Sequence, residues 1–316
     1  MGRDTSIAWA HHTFNGVHGC AHATLVDGSE SPGCQNCYAE KGAKRNPKTF
    51  GIWGEEGTRV LAADSAWEQL GTWHRAAVRE GALRRVFCYS IGDVFESPRK
   101  LANADVCAKG RTRLFAAIER LCPVNAAVGL ETAAKPSGLI FLLLTKRPEN
   151  VKRMVPPSWL VENAPPESRL GWPQHVWLGA SVENQPAADE RVPHLLGVPG
   201  VPVRFLSLEP LLERVNLRQW IDRLGWLIPG GEGLGKRPCD LAWIRDIRDQ
   251  GKAAGVPVFV KQMGANPITT TPGEPRAECA RIMGQGWRVR LEHPKGEDPD
   301  EWPEDLRVRE VPEVRL

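Results

Sequence analysis

Cys20, Cys34 and Cys37 are the residues of this 316-residue chain whose type and spacing point most directly to chemistry. They lie in NGVHGC and, after thirteen intervening residues, in CQNCY. A soft metal or an iron–sulfur cluster needs thiolates held close together on a flexible turn. Cys34-x-x-Cys37 supplies that spacing, with Pro32 and Gly33 making the turn. Cys20 must fold back across an insertion containing Asp27, Gly28 and Ser29. Three thiolates suit an iron–sulfur cluster with one iron left open. Completed by His18, His22, His11 or His12, the same thiols suit a structural zinc site, with His18-Gly19-Cys20 as the second ligand pair. Free cytosolic thiols are the third reading. Cys88, Cys107, Cys122, Cys239 and Cys279 show no paired spacing.

A second signal is positional. Nearly every short apolar run of strand type leads into polar residues: Ser90 with Asp93 and Glu96, Thr145-Lys146-Arg147, Ser181 with Glu183 and Asn184, and Ser207 with Glu209. The last two runs lead to Gly230-Gly231-Glu232 and Lys261-Gln262. In a (β/α) barrel this C-terminal rim is where substrates bind. Each residue alone reads equally as a helix cap, a turn or a salt-bridged surface group; the repetition is what points to a site. Lys146 and Arg147 suit a carboxylate or phosphate. Gly230 and Gly231 admit close backbone approach, and Glu232 can accept hydrogen bonds from an ammonium or from hydroxyls. Glu183 and Glu209 either orient a ligand and relay protons or hold Lys146, Arg147 or Lys261 in ion pairs. Lys146, Glu183 and Glu209 are therefore the catalytic candidates, and a metal-independent hydrolase built on Glu183 and Glu209 is one rival reading.

The elements that must position these residues alternate. Strands are expected at Val86–Ser90, Leu139–Leu144, Val176–Ala180, Val203–Leu206, Trp226–Ile228 and Val258–Val260, with a weaker one at Ile7–Trp9. Helices are expected at Tyr38–Arg45, Arg111–Leu121, Ala187–Leu196, Leu217–Leu224 and Asp240–Ala254. A further helix, N-capped by Ser65, carries Trp67, Leu70, Trp73 and Ala77 on one face. The pattern is α/β and predicts a partial or complete (β/α) TIM-like barrel over residues 1–263, with its cysteine loop at 18–38. The segment Pro156–Pro173 reads as an extended insertion, and 264–316 as an irregular C-terminal tail or lid. Lys+Arg number 41 against 38 Asp+Glu, which predicts no strongly basic nucleic-acid glove. With no apolar run of signal-peptide or membrane-span length, a soluble cytoplasmic protein without membrane partners is expected. The twelve tryptophans are expected as core or groove walls rather than base-stacking platforms.

The ordered runs TFNGVHGC, SPGCQNCYAEK, FCYSIGDVFE, LLLTKRPEN, VWLGASVEN, RFLSLEPLL, WLIPGGEG, VPVFVKQMG and EWPEDLRVRE closely resemble the phage gene-product-thirty-seven/sixty-eight family of unknown function. That three-Cys-motif family is itself similar to radical S-adenosylmethionine (radical SAM) enzymes with a partial TIM barrel. The resemblance spans nearly the whole chain. It implies a [4Fe-4S] cluster on Cys20, Cys34 and Cys37, with S-adenosyl-L-methionine on the open iron as the source of a 5′-deoxyadenosyl radical. It further implies Tyr38 near the adenine and Ser90 and Asp93 at the methionine end; Glu232 is left as a general ligand contact, and Ser181, Asn184, Gly230, Gly231 and Lys261 join the cofactor-binding set on their strand-end positions. The usual radical-enzyme spacing puts three residues between the first two cysteines, where this chain has thirteen.

The function expected from this resemblance is modification or repair of a nucleic-acid component. Its partners would be a DNA, RNA or nucleotide substrate, an external electron donor and a three-Cys-motif partner protein, in the host cytoplasm if phage-encoded. The substrate clause rests on the phage context and on similarity to radical enzymes such as spore photoproduct lyase. Lys41, Lys44, Arg45 and Lys48 are candidates for phosphate contact, or equally the solvated face of a short helix. The alternative expectation is a zinc-stabilised barrel that binds nucleic acid or protein without catalysis.

Overall fold

Apolar runs of four to seven residues, bounded by polar turns, are too short to bury a helix and pair instead as parallel strands. The computed structural model describes residues 5–98, 100–101, 103–121, 138–163, 170–233, 237–271, 273, 277–282 and 286–313; Cys122 lies outside them. In chain order the elements are β1 (His12–Phe14), β2 (Val17–His18), α1 (Tyr38–Arg45), α2 (Pro47–Phe50), β3 (Val60–Leu61), α3 (Asp64–Glu80), β4 (Arg84–Cys88) and α4 (Asp105–Leu121). These are followed by β5 (Leu139–Thr145), α5 (Val151–Met154), β6 (Val176–Ser181), α6 (Gln185–Leu196), β7 (Arg204–Leu208), β8 (Trp226–Pro229), β9 (Cys239–Asp240) and α7 (Leu241–Ala254). The tail adds β10 (Pro267–Thr269), β11 (Ala277–Ile282) and β12 (Gly286–Val289).

The central sheet has six strands in the order β1-β4-β5-β6-β7-β8, every pair parallel. Alternation along each strand sorts the side chains into two layers. One face buries Val86, Phe141, Leu143, Leu178 and Leu206 against the helices, including the Trp67, Leu70, Trp73 and Ala77 stripe of α3 and Leu241, Ile244 and Ile247 of α7. The other face gathers Phe87, Leu142, Trp177, Phe205 and Trp226 with Trp9 and Phe259 into a separate aromatic cluster. The sheet curves far enough that Trp9, just ahead of the first strand, packs edge-on 6.2 Å from Trp226 in the last. Gly179 is needed on this concave face, because a Cβ there would lie 2.4 Å from the Phe205 ring. The aromatic plug closes one end of the arc, and Ser181 and Ser207 continue the same strand faces toward the other. Eight of the twelve tryptophans are buried, as expected of core and wall residues.

Several elements depart from the sequence reading. The first strand forms at His12–Phe14, because Ile7 and Trp9 turn inward to the aromatic plug and leave His12–Phe14 in register with Val86–Cys88. Val258–Val260 makes a single parallel bridge, Leu227 to Val258, and is not a full strand. Its alternate residues still bond β8, Phe259 N–H to the Leu227 carbonyl and Lys261 N–H to the Pro229 carbonyl, while Val258 and Val260 bond Glu310 and Val308, so the C-terminal tail occupies its other edge. Full closure of the barrel is therefore not seen among the described residues. Leu217–Leu224 contains only a 3-10 turn at Ile221–Arg223, and α4 begins six residues before the expected Arg111. The tail expected to be irregular contributes β10, β11 and β12 to a four-stranded sheet with β9. The Pro156–Pro173 insertion, where described, is anchored by buried Trp159 and Trp172, whose rings pack at 5.4 Å. Among the described residues no helix is long and apolar enough to cross a membrane.

Candidate functional site

At the end of the arc away from the aromatic plug lies a cavity of about 500 Å³, within the range of ligand and cofactor pockets. All three cysteines line it, although their loop belongs to no strand of the sheet. Each arm of that loop is tied down by buried charge.

On the Cys20 arm, the Ala21 N–H donates to Glu96 at 2.7 Å and the Ala21 carbonyl accepts from Arg147 at 2.8 Å. Glu96 is held in turn by Arg59 through contacts of 2.8 and 2.7 Å, and both side chains are almost wholly buried. Arg147 also approaches the Cys20 sulfur at 3.7 Å and pairs with Asp93 at 3.1 Å.

On the other arm, the Cys34 N–H donates to Ser31 and the Cys37 N–H to Cys34, closing the turn. Two clamps reach it from opposite sides. From α6, Arg191 donates to the Ser31 hydroxyl at 2.8 Å and to Glu183 at 2.8 Å. Glu183, fully buried, lies directly beneath Gly33 and also meets Lys146 at 3.2 Å. From the segment after β8, Arg237 donates to the Pro32 carbonyl at 2.9 Å and to Gln35 at 3.0 Å while paired with Glu232. Glu232 also accepts from Asn36 at 3.2 Å.

The expected site residues therefore separate into groups. Lys146, Glu209, Tyr38, Ser90, Asp93, Ser181, Glu232 and Lys261 share the cavity wall with the cysteines. Glu183 does not reach the cavity, because Gly33 covers it. Asn184 lies outside as well, its side chain spent as the N-cap of α6 on the Ala187 N–H. Gly230 and Gly231 are packed against Gln262 and Met263 with no room for a ligand; a Cβ on Gly231 would sit 2.2 Å from the Met263 carbonyl oxygen. Asp93 is saturated by the Thr145 hydroxyl at 2.7 Å, the Phe95 and Lys146 N–H groups and Arg147, so it fixes the Thr145-Lys146-Arg147 rim. Glu209 grips Lys261 at 2.5 Å and accepts from Gln262 at 2.9 Å. The Tyr38 hydroxyl donates to the Ser90 carbonyl, tying α1 to the end of β4.

Tyr89, Trp53, Lys295 and Glu297 are among the cavity residues that escaped the sequence reading. Tyr89 adopts φ 62, rare for a non-glycine residue, at the point where β4 turns into Ser90. Trp53 comes from the loop after α2, and Lys295 and Glu297 from the tail. A tyrosine inside FCYSIGD carries no mark of a left-handed backbone, and the HPKGE segment reads as a solvated turn.

Electrostatics follow the pairing. Burial, then Glu96, push the Cys20 thiol well above its ordinary range, with Arg147 opposing. Burial likewise raises Cys37, against hydrogen bonds from the start of α1. Burial thus favours the protonated form of Cys20 and Cys37, and a metal bound there must displace those protons. Burial, the largest influence, disfavours charge on both Lys146 and Glu183, but Glu183 with Cys34 raises Lys146 overall, and Lys146 with Arg191 lowers Glu183.

Three thiols lining one cavity match in kind the donors of an iron–sulfur cluster with one iron left open. Among the described residues no three His, Cys, Asp or Glu side chains form a preassembled metal-ion site. Of the histidines that could complete a zinc site, His22 lies between Glu30 and Glu40 at 3.0 Å from each, while His18 bonds the Thr49 carbonyl at 2.8 Å through Nδ1 and keeps a buried Nε2 without a hydrogen-bond partner. His11 accepts from the Arg85 N–H, and His12 stacks on Trp73.

Residues 4–120 and 125–290 match the family described as Protein of unknown function (DUF5131), and the chain belongs to that family. No curated protein matches it. Similar solved structures include spore photoproduct lyase complexed with dinucleoside spore photoproduct, at 13% identity and a TM-score of 0.45, covering 92% of this chain and 71% of that one. A spore photoproduct lyase mutant with bound AdoMet and dinucleoside spore photoproduct is similar at 12% identity and a TM-score of 0.42, with the same coverage.

Proposed function

We propose that this member of the DUF5131 family is a radical SAM iron–sulfur enzyme that modifies or repairs a nucleic-acid component. The observation that carries the reading is the convergence of three clamped thiols and the polar ends of successive parallel strands on one cavity. Cys20, Cys34 and Cys37 would hold a [4Fe-4S] cluster, which supplies the electron for reductive cleavage of S-adenosyl-L-methionine. The phage gene-product resemblance, the external electron donor, the three-Cys-motif partner and the cytoplasmic location belong to the same proposal.

The chain's own residues have definite tasks in it. Arg147, between Asp93 and the Cys20 sulfur, offsets negative charge at that thiolate and fixes the Ala21 carbonyl. The aromatic plug seals the far end of the cavity against water. Ser181 and Ser207 offer hydroxyls on the wall, and Glu209 with Lys261 offers a paired carboxylate and ammonium that can orient a zwitterionic or hydroxyl-bearing ligand. Lys146, with its ammonium kept charged by Glu183, faces the same space.

Protein purified without oxygen is expected to be brown, to contain iron and sulfide, and to cleave S-adenosyl-L-methionine after reduction. Cys20→Ala, Cys34→Ala and Cys37→Ala each lose the iron, while Cys239→Ala, buried in the core, keeps it. A colourless wild-type protein with about one zinc per chain, inert toward S-adenosyl-L-methionine after reconstitution, would reject the proposal.

A further inference from the structure

Among the described residues the C-terminal tail reaches the cavity at residues 295–297, and that place is rigidly built. The Met263 and Gly264 N–H groups donate to the carbonyls of Gly296 and Lys295 at 2.9 and 3.1 Å. The buried Trp302 ring donates to the Gly296 carbonyl at 3.0 Å, and the His293 Nδ1 accepts from the Lys295 and Glu297 N–H groups at 3.3 and 3.1 Å. Farther on, Leu306 is fully buried and Asp305 is gripped by Arg245 at 2.8 Å. The backbone under Lys295 is fixed, and its side chain passes Gly233 into the cavity wall.

The lining cations differ in how far their charge is committed. Lys261 meets Glu209 at 2.5 Å, Arg147 meets Asp93 at 3.1 Å and Lys146 meets Glu183 at 3.2 Å, with side chains 20%, 13% and 22% exposed. Lys295 meets Glu297 at 3.5 Å with its side chain 42% exposed. An exposed pair of that kind is worth little, so an incoming anion can take the ammonium at small cost, whereas the other three are locked. We infer that Lys295 is the phosphate-selecting residue of the cavity, and that the substrate is a nucleotide or nucleotide unit whose phosphate meets this ammonium. The nucleotide identity rests on the proposed function; the anion site rests on the tail.

The test is equilibrium dialysis of the full chain as purified, with each of the four 2′-deoxynucleosides against its 5′-monophosphate, in wild type, Lys295→Ala and Lys295→Arg. For at least one base, wild type is expected to prefer the monophosphate by about tenfold. Lys295→Ala should bring that ratio close to one, Lys295→Arg should keep most of it, and S-adenosyl-L-methionine affinity should be the same in all three. An unchanged ratio in Lys295→Ala, no monophosphate preference in wild type, or a loss confined to S-adenosyl-L-methionine would each overturn the inference. So would inorganic phosphate binding as tightly as the monophosphate. Iron and sulfide content, measured on the same samples, reports separately on the radical reading: iron-free wild-type protein would sink that reading while the dialysis ratios still decide the anion site.

Discussion

Gly33→Ala is the sharpest test of how the cysteine turn is held. An ideal Cβ on Gly33 falls 2.2 Å from Glu183 Oε1, 2.8 Å from its Cδ and 2.9 Å from its Cγ, all inside the 3.0 Å that Cβ contacts respect. Something must move. Glu183 is fully buried and held by Arg191 at 2.8 Å and Lys146 at 3.2 Å. Swinging it away would break a buried ion pair, at a cost of about 3–5 kcal/mol. Displacing the turn costs about 1–3 kcal/mol, typical of inserting one methyl group into a packed site. The turn therefore yields, and it carries Cys34 and Cys37 with it. The expected result is a stability loss of about 1–3 kcal/mol in urea unfolding, together with a severalfold fall in iron per chain after anaerobic reconstitution. Gly28→Ala is the control in the same loop: its φ of +82 makes alanine strained, but nothing lies within 4 Å of the new Cβ. That variant should lose about 1–2 kcal/mol of stability and keep its iron. Equal iron content in Gly33→Ala, Gly28→Ala and wild type would refute the claim that Glu183 is the platform of the thiol turn.

Removing one partner of the buried Arg59–Glu96 pair, as in Glu96→Gln or Arg59→Met, should destabilise the chain by about 3–5 kcal/mol in denaturant unfolding; a loss under about 1 kcal/mol would show that the pair is solvated. Arg237→Ala releases the Pro32 carbonyl and leaves Glu232 without its guanidinium, so iron loading should fall more than urea stability does, because the loss is local to the cysteine turn. On acidification, His11 and His175, both lowered to about 4 chiefly by burial, bind fewer protons folded than unfolded. The stability they help hold is complete above the ordinary histidine range and declines as pH falls from about 6.5 toward 4. Urea midpoints across that window should flatten in His11→Gln if this account is right, since protonation costs the hydrogen bond from the Arg85 N–H.

The sequence carried the periodic parts of the fold. The four buried positions of α3 and the apolar face of α7 follow from spacing alone, and five of the six sheet strands begin within a residue or two of expectation. It failed where pairing partners decide. Ile7 and Trp9 have strand chemistry but serve the aromatic plug, while His12–Phe14, with two polar-capable residues in three, becomes the strand because β4 offers it an open edge. The tail was unreadable for the same reason: Leu306 and Arg309 look solvated in a run of Pro, Glu and Asp until the core and the Phe259 ring are brought beneath them.

At the site, sequence identified the right strand ends but not the difference between a charge that faces a ligand and one that holds the wall. Glu183, Asp93 and Glu232 looked like ligand contacts because acidic residues after a strand often are. Their partners are Ser31 through Arg191, Ala21 through Arg147, and Pro32 through Arg237, and those guanidinium links span 160, 126 and 205 residues of sequence. No local pattern encodes contacts of that separation. They also resolve the long Cys20 to Cys34 insertion, which breaks the usual spacing. Where three intervening residues would fix two thiols through the backbone alone, thirteen cannot, and each arm of this loop is instead fastened to the segments that follow the sheet strands by its own arginine and carboxylate. The length of the insertion and the buried charge around it are one design, so shortening the loop without removing those clamps should gain nothing for cluster binding, whereas removing a clamp should lose it.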